Sequence, residues 1–274
     1  MSSLPYYSLA LMSWLTEFTA TDPATLLLLA LAALVAGVVR GFSGFGAGMI
    51  FMPAAAALVG PHAAVGMFAL TDSLLTLPLV RNALRHYRPA TVVPLTITAV
   101  MTIPLGAYVL LVVDAISVRW LLAIIIFCLL GLLISGWRYH GTPKTVASLG
   151  LGAVTGTLSG ISQVSGPPVV AYWLAGPDGP QIVRANLIVF FAITGLVGIL
   201  TYFLTGVLDS RAFALFCIMG PVYAFALWLG ARGFGSTLFG QFSERTYRGL
   251  AYALILFAVI TSLPALDPWL RPQA

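Results

Sequence analysis

The chain has 274 residues, of which 60% are hydrophobic and only 8% charged, where a soluble domain gives about a quarter of its residues to charge. With a mean hydropathy of +1.01, this composition excludes a water-soluble globular domain and is that of an integral membrane protein. The net charge of +5 does not signal nucleic acid, because the basic residues stand singly or in small groups between apolar runs, where they act as topology signals.

Residues 1–24 form an N-terminal segment in which Glu17 and Asp22 are the charges. It lacks the positive n-region of a cleavable signal peptide, so it is expected to be retained. Apolar stretches follow at 25–39, 47–59, 63–80, 90–113 and 118–137, and again at 146–159, 164–175, 185–205, 212–231 and 246–263. A spanning helix needs roughly 20 apolar residues to cross about 30 Å of hydrocarbon. The first two stretches of each half have about 12 to 15 residues, enough for only about 20 Å of helix, and are expected to be too short to span alone. Irregular backbone at membrane depth is tolerated only where protein or a water-filled cavity covers it. Each short pair therefore reads as a re-entrant hairpin with its tip in the bilayer, two short and strongly bent crossings being the alternative.

The two halves echo each other. Gly37-x-x-x-Gly41 is followed by Pro53, and Gly152-x-x-x-Gly156 by Pro168 at the same spacing; Leu58-Val-Gly-Pro61 answers Leu174-Ala-Gly-Pro177, Gly106-Ala107 answers Gly230-Ala231, and Ser117-x-Arg119 answers Ser243-x-Arg245. Their common order implies an internal duplication, with repeat 1 over 25–145 and repeat 2, ending in a short tail, over 146–274. Charge sets the orientation. Arg81, Arg85, Arg88, Arg138, Lys144, Arg184, Arg232, Arg245 and Arg248 are expected in the cytoplasm, and Arg119, Arg211 and Arg271 outside. The first half then runs from outside to inside and the second from inside to outside. The fold class expected is all-α integral membrane, with two inverted repeats of about five helical segments each and re-entrant or broken short helices at the Gly-rich tips. Inverted repeats around a midplane site are a recurrent plan for secondary transporters.

The segment richest in chemistry is the first tip, Arg40-Gly-Phe-Ser-Gly-Phe-Gly-Ala-Gly48. Its glycines let backbone approach a ligand, and the helix that starts there favours an anion through its free N–H groups and dipole. Arg40 adds planar donors matched to an oxyanion. The expected ligand-binding set is Arg40, Gly41, Ser43, Gly44, Phe45, Gly46 and Gly48. The competing reading is close helix packing at the glycines, with Arg40 reaching to the interface. In the second tip the apolar pattern yields to Ser159, Gly160, Ser162, Gln163, Ser165 and Gly166 before two prolines. These are neutral donors to the same anion, or else partners for their own broken backbone. Asp72, alone in an apolar stretch, is expected either to pair with Arg40 or to carry a coupling proton, since membrane carboxylates are costly. The position aligned with it in the second half is Ala192, so no twin carboxylate is expected. Pro94, Pro104 and Pro221 mark expected kinks, and the Trp and Tyr residues mark interfaces.

Cys128 and Cys217 fall inside apolar runs, and His62, His86 and His140 are far apart, so neither a disulfide nor a metal site is expected. A Gly-rich tip without a GxxxxGK[ST] pattern gives no nucleotide site. With no second carboxylate and no nucleophile beside a base, the reading is a transporter without cofactors and not an enzyme.

Gly37-Val-Val-Arg-Gly-Phe-Ser-Gly-Phe-Gly-Ala-Gly48 with Pro53, echoed by Gly152-Ala-Val-Thr-Gly156 with Ser165-Gly-Pro-Pro168, resembles the TauE/SafE family of sulfite and sulfonate exporters over roughly residues 25–263. The second tip departs from the more Gly-rich form common in that family. The resemblance implies a multi-pass protein of the bacterial inner (cytoplasmic) membrane that exports a small sulfur oxyanion, such as sulfite or the organosulfonate sulfoacetate. A permease for another small anion such as a carboxylate is the alternative. The partners expected are the anion, the lipid bilayer and a coupling proton or other ion, with no nucleic acid.

Overall fold

The computed structural model describes residues 16–136, 145–174, 178–233 and 244–270, and every regular element in them is helical. The main helices are α1 (Pro23–Ser43), α2 (Ala47–Val59), α3 (Pro61–Ala83), α4 (Pro89–Val112), α5 (Ala115–Ile134), α6 (Thr145–Ser162), α7 (Gly166–Trp173), α8 (Pro180–Leu204), α9 (Ser210–Gly233) and α10 (Glu244–Ser262); a 3-10 turn (Pro264–Leu266) and the short α11 (Asp267–Leu270) follow. The starts obey local chemistry. Asp22 caps α1 by accepting from Thr25 N at 3.0 Å, with Pro23 at the first helical position, and Asp114 caps α5 by accepting from Ser117 N at 3.0 Å. Such bonds favour the ionised carboxylate and hold both acids below the usual carboxylate range.

Among the described residues seven helices, α1, α3, α4, α5, α6, α8 and α9, are long and apolar enough to cross a membrane. Outward-facing side chains such as Leu27, Met101, Leu105, Phe203 and Phe257 suit a lipid surround. This corrects the expectation that 25–39 and 146–159 are too short: α1 has 21 residues and α6 has 18. Polar residues and glycine end each apolar stretch, but the helices run on through Arg40–Ser43 and Gly160–Ser162, because close packing accepts the glycines and an ion pair neutralises Arg40. The partners α2 and α7 are short as expected, with 13 and 8 residues. Pro94 and Pro104 lie inside α4, and Pro221 inside α9.

The repeated glycines perform matched tasks. A Cβ on Gly37 or Gly41 of α1 would collide with the backbone of α9 around Tyr223, Leu227 and Gly230, and Gly230 in turn abuts Val38. A Cβ on Gly152, Gly156 or Gly160 of α6 would collide with the carbonyl oxygens of Leu95, Ala99 or Ile103 on α4, and Gly106 abuts Thr157. Small residues thus seat α1 along α9 and α6 along α4. Elsewhere α3 packs on α8, α3 on α9 and α4 on α8, and α2 lies beside α10 as α7 lies beside α5. Exchanging the two halves leaves this set of pairs unchanged.

Polar contacts tie the helix ends into two groups. Arg211 at the start of α9 reaches Ala20 O and Thr21 Oγ1 beside the start of α1, and Gly66 near the start of α3 packs on Val207 and Ala212. At the other group, Arg88 pairs with Asp178 at 2.9 Å, its N–H donates to Asn186 Oδ1, and Ser148 of α6 hydrogen-bonds Tyr172 of α7 at 2.8 Å. Arg119 binds Asp267 and Ser262 O, joining α5 to the C-terminal turn. The basic segment with Arg138 and Lys144, the Ala175–Pro177 stretch, Ser243 and Arg271 lie outside the described residues.

Candidate anion site

Each short pair turns on three residues, 44–46 between α1 and α2 and 163–165 between α6 and α7. The first residue of each turn is left-handed: Gly44 at φ 79° and Gln163 at φ 56°. This ends the preceding helix in the manner of an αL cap; Gly44 N donates to Arg40 O and Gln163 N to Ser159 O, at 2.8 and 2.9 Å. The last serine of each helix closes the turn. Ser43 Oγ lies 2.7 Å from the carbonyl oxygens of Val39 and Phe45 and accepts from Phe45 N, and Ser162 Oγ donates to Leu158 O and accepts from Val164 N. Arg40 and Ser159 each stand three residues before their helix end, so the structure sets a cation opposite a hydroxyl.

The tips interlock. A Cβ on Gly48 would lie 2.7 Å from Gln163 O, and one on Gly166 would lie 3.4 Å from the ring of Phe45. Between them opens a cavity walled by both tips and by α3 and α8. Of the residues expected from sequence, Arg40, Phe45, Gly46, Gly48, Asp72, Ser159, Gln163, Ser165 and Gly166 line it. Gly41, Ser43, Gly44, Gly160 and Ser162 do not. Gly41 and Gly160 serve helix packing, the two serines serve their turns, and Gly44 gives room to the Arg184 side chain, whose Cγ lies 3.3 Å from where a Cβ would stand.

Arg40 is 4% exposed. Its Nε donates to Asp72 Oδ1 at 2.9 Å, its Nη1 donates to Gly44 O, and its guanidinium carbon lies 5.0 Å from the centroid of the Phe191 ring. Asp72 also accepts from the hydroxyl of Tyr223 on α9, a fully buried ring packed edge-on against Phe68 at 6.3 Å. The pairing expected of Asp72 and Arg40 is therefore present. Asp72 is the twelfth residue of α3, and the twelfth of α8 is Phe191. Counted from the helix starts, the residue at the same place in α8 is thus one before Ala192.

Donors converge on the cavity from both tips. The N–H groups of Ala47 and Gly48 open α2, whose N-cap Gly46 offers no side-chain bond, so they are free for an anion. At α7 the residues after Gly166 are Pro167 and Pro168, and that start presents fewer N–H groups. Ser159 and Ser165 present hydroxyls without a hydrogen bond to the described residues. Gln163 is different. Its Nε2 donates to Tyr202 Oη at 3.1 Å and Ser159 O at 3.3 Å, so the carboxamide braces the tip and leaves its oxygen for other contacts. Sequence reasoning missed Phe191 and Ser73 of the wall, and Tyr223 and Tyr202, which hydrogen-bond the wall residues Asp72 and Gln163 from behind, all common residues in apolar helices.

The family model described as sulfite exporter TauE/SafE matches residues 29–262 of this chain. A protein of Cupriavidus necator named as a probable sulfite/organosulfonate exporter TauE is 29% identical over 240 residues, covering 83% of this chain and 90% of that protein. No solved structure matches.

Proposed function

We propose that this chain, which belongs to the sulfite exporter TauE/SafE family, is a secondary transporter that carries a small sulfur oxyanion, sulfite or an organosulfonate such as sulfoacetate, out of the cytoplasm across the inner membrane. The observation that carries the reading is the meeting of Arg40, the start of α2 and the serines of the second tip around one cavity between membrane helices. Arg40 supplies charge and planar donors, Ala47 and Gly48 supply N–H groups at a positive helix end, and Ser159 and Ser165 supply hydroxyls. Negative charge that leaves uncompensated through a cytoplasm-negative membrane gains roughly 2.3 kcal/mol per charge per 100 mV.

The architecture we propose is a pair of inverted repeats with re-entrant tips. The symmetric exchange of helix contacts supports it. So does the placement of hairpin openings, since α1 begins and α2 ends near the 207–212 turn, whereas α6 begins beside the end of α7 in the group with Arg88 and Asp178.

A carboxylate permease is the second reading, favoured by one observation: a carboxylate, that of Asp72, already occupies Arg40. Calorimetry of the purified protein with sulfite, sulfoacetate, sulfate and acetate separates the two. Tighter binding of sulfite or sulfoacetate than of acetate is expected. Acetate binding as tightly as either would overturn the sulfur-oxyanion assignment.

A further inference from the structure

We infer that Asp72 is the resident anion of the cavity and that an incoming oxyanion displaces it from Arg40 while loading it with a proton, so that anion and proton bind together. The inference deepens the proposed transport site and rests on that reading. Its ground is the charge balance of the Arg40–Asp72 pair. Arg40 is 4% exposed and the Asp72 side chain 17%, and both line the same cavity. The Nε of Arg40 is held by Asp72 and its Nη1 by Gly44.

The other charged or titratable groups on helices packed against α3 are few. Tyr223 of α9 donates its hydroxyl to Asp72. Arg184 of α8 reaches Gly41 O and lies close enough to Arg40 for the two cations to repel, Tyr202 of the same helix donates to Ser159 O and Gly160 O, Arg211 and Arg232 sit at the ends of α9, the latter stacked on Trp228, Arg119 of α5 is bound to Asp267, and Cys128 and Cys217 are exposed. Tyr108 of α4 is exposed, α2 has no ionisable group, and His62 and Arg81 lie at the ends of α3 itself. Asp72 thus faces one cation and one neutral phenol.

An oxyanion on Arg40 then turns a neutral pair into a cluster with one excess negative charge, in a setting where like-charge repulsion is severalfold stronger than in water. Protonation of the carboxylate restores neutrality, as when two acids share one site. The hydrogen bond to Tyr223 needs no rearrangement, because a phenol can donate to a carboxylate or accept from a carboxylic acid. The balance is simple: one anion and one proton enter together, no covalent bond other than O–H forms, and both leave when Asp72 returns to Arg40. A monoanion then crosses without net charge, and a dianion moves one charge and responds to membrane potential.

The test uses the purified full chain and methanesulfonate, which stays a monoanion from about pH 5 to about pH 8, so that any proton taken up belongs to the protein. Calorimetry in two buffers of different ionisation heat should count about one proton bound per anion. Affinity should rise by up to about tenfold for each unit fall in pH within the coupled range. Asp72→Asn should bind without proton uptake and without pH dependence; if that variant does not fold, the two-buffer count on the parent decides alone. A site that takes only sulfite is read in the same way after subtracting the protons of sulfite itself. Binding with no proton uptake and a flat pH profile would overturn the coupling while leaving the anion site standing. No binding of methanesulfonate, sulfite or sulfoacetate would remove the transport site and this inference with it.

Discussion

At the scale of the residue, Arg40 and Asp72 carry the site, and each limits what the other can do. Both were visible in the sequence as charges at membrane depth, where charge is costly without a purpose. What the sequence left open was whether Arg40 serves a ligand or a partner, and the structure has it engaged by Asp72 on one edge while it still lines the cavity. Tyr223, which completes the cluster, gave no signal, since one tyrosine in an apolar helix looks like any other. The pairing dictates how the guanidinium must be tested. Arg40→Gln alone leaves a carboxylate without its cation, which costs about 3–5 kcal/mol for a buried pair, so it should lower the thermal midpoint sharply and obscure binding. The informative comparison is Arg40→Gln/Asp72→Asn against Asp72→Asn, neither of which leaves an unpaired carboxylate at the cluster. Charge-assisted hydrogen bonds contribute about 1.5–3 kcal/mol each, so the double variant should bind anion roughly tenfold to a hundredfold more weakly. Arg40→Lys/Asp72→Asn keeps charge without the planar fork and should fall between. Equal affinity in the double variant and Asp72→Asn would place the anion away from Arg40.

At the scale of the element, apolar stretches gave helix positions to within a few residues, because a membrane helix ends where its apolar run meets Pro, Gly or charge. The short α2 and α7 were legible as short, whereas α1 and α6 were underestimated. The register between the halves was also legible only in part. Matching Pro53 to Pro168 sets Gly44 against Ser159, yet the turns set Gly44 against Gln163, four residues on. Four residues are about one helical turn, so both alignments keep the same face toward the partner helix, and glycines at that spacing hide the slip. The structural alignment exposes a strained position: Gln163 holds a left-handed conformation that glycine holds in the first tip, at an expense of about 1–3 kcal/mol. Gln163→Gly should therefore fold with equal or higher thermal stability. It should bind anion more weakly, because the tie from Nε2 to Tyr202 that fixes the tip is lost. A variant that is less stable and binds unchanged would show that the side chain serves only the fold. Gly156→Leu is the contrasting case. Its side chain has no room against Ala99 O and Thr102 Oγ1, so α6 should lose its seat on α4 and little folded protein should elute from a sizing column.

At the scale of the whole molecule, the two groups of helix ends and the distribution of basic residues are independent observations that divide the chain in the same way. Arg85, Arg88 and Arg184 belong with the end where Arg88 meets Asp178 and Asn186. Arg211 belongs with the start of α1 and the turn before α3, and Arg119 with the C-terminal turn. Positive charge marks the cytoplasmic side of a membrane protein, so the first end should face the cytoplasm and the second the outside. Hairpin α1–α2 would then enter from outside and α6–α7 from inside, with their tips meeting at the cavity, and alternating access would need only a shift of one repeat against the other. Cysteine labelling in intact cells tests this directly once Cys128 and Cys217, both exposed on the helix surfaces, are replaced by serine. Asp209 caps α9 by accepting from Ala212 N at 2.7 Å, so the reporter for the outer end is its exposed neighbour, Ser210→Cys. Arg85→Cys, in the exposed turn after α3, reports the inner end, and His140→Cys reports the second basic loop. An impermeant thiol reagent should modify Ser210→Cys in intact cells, and should reach Arg85→Cys and His140→Cys only after the membrane is permeabilised. Modification of Arg85→Cys from outside would reverse the assignment of the ends. Modification of His140→Cys alone would break the pairing of α5 with α6 across one face, and with it the inverted arrangement of the repeats.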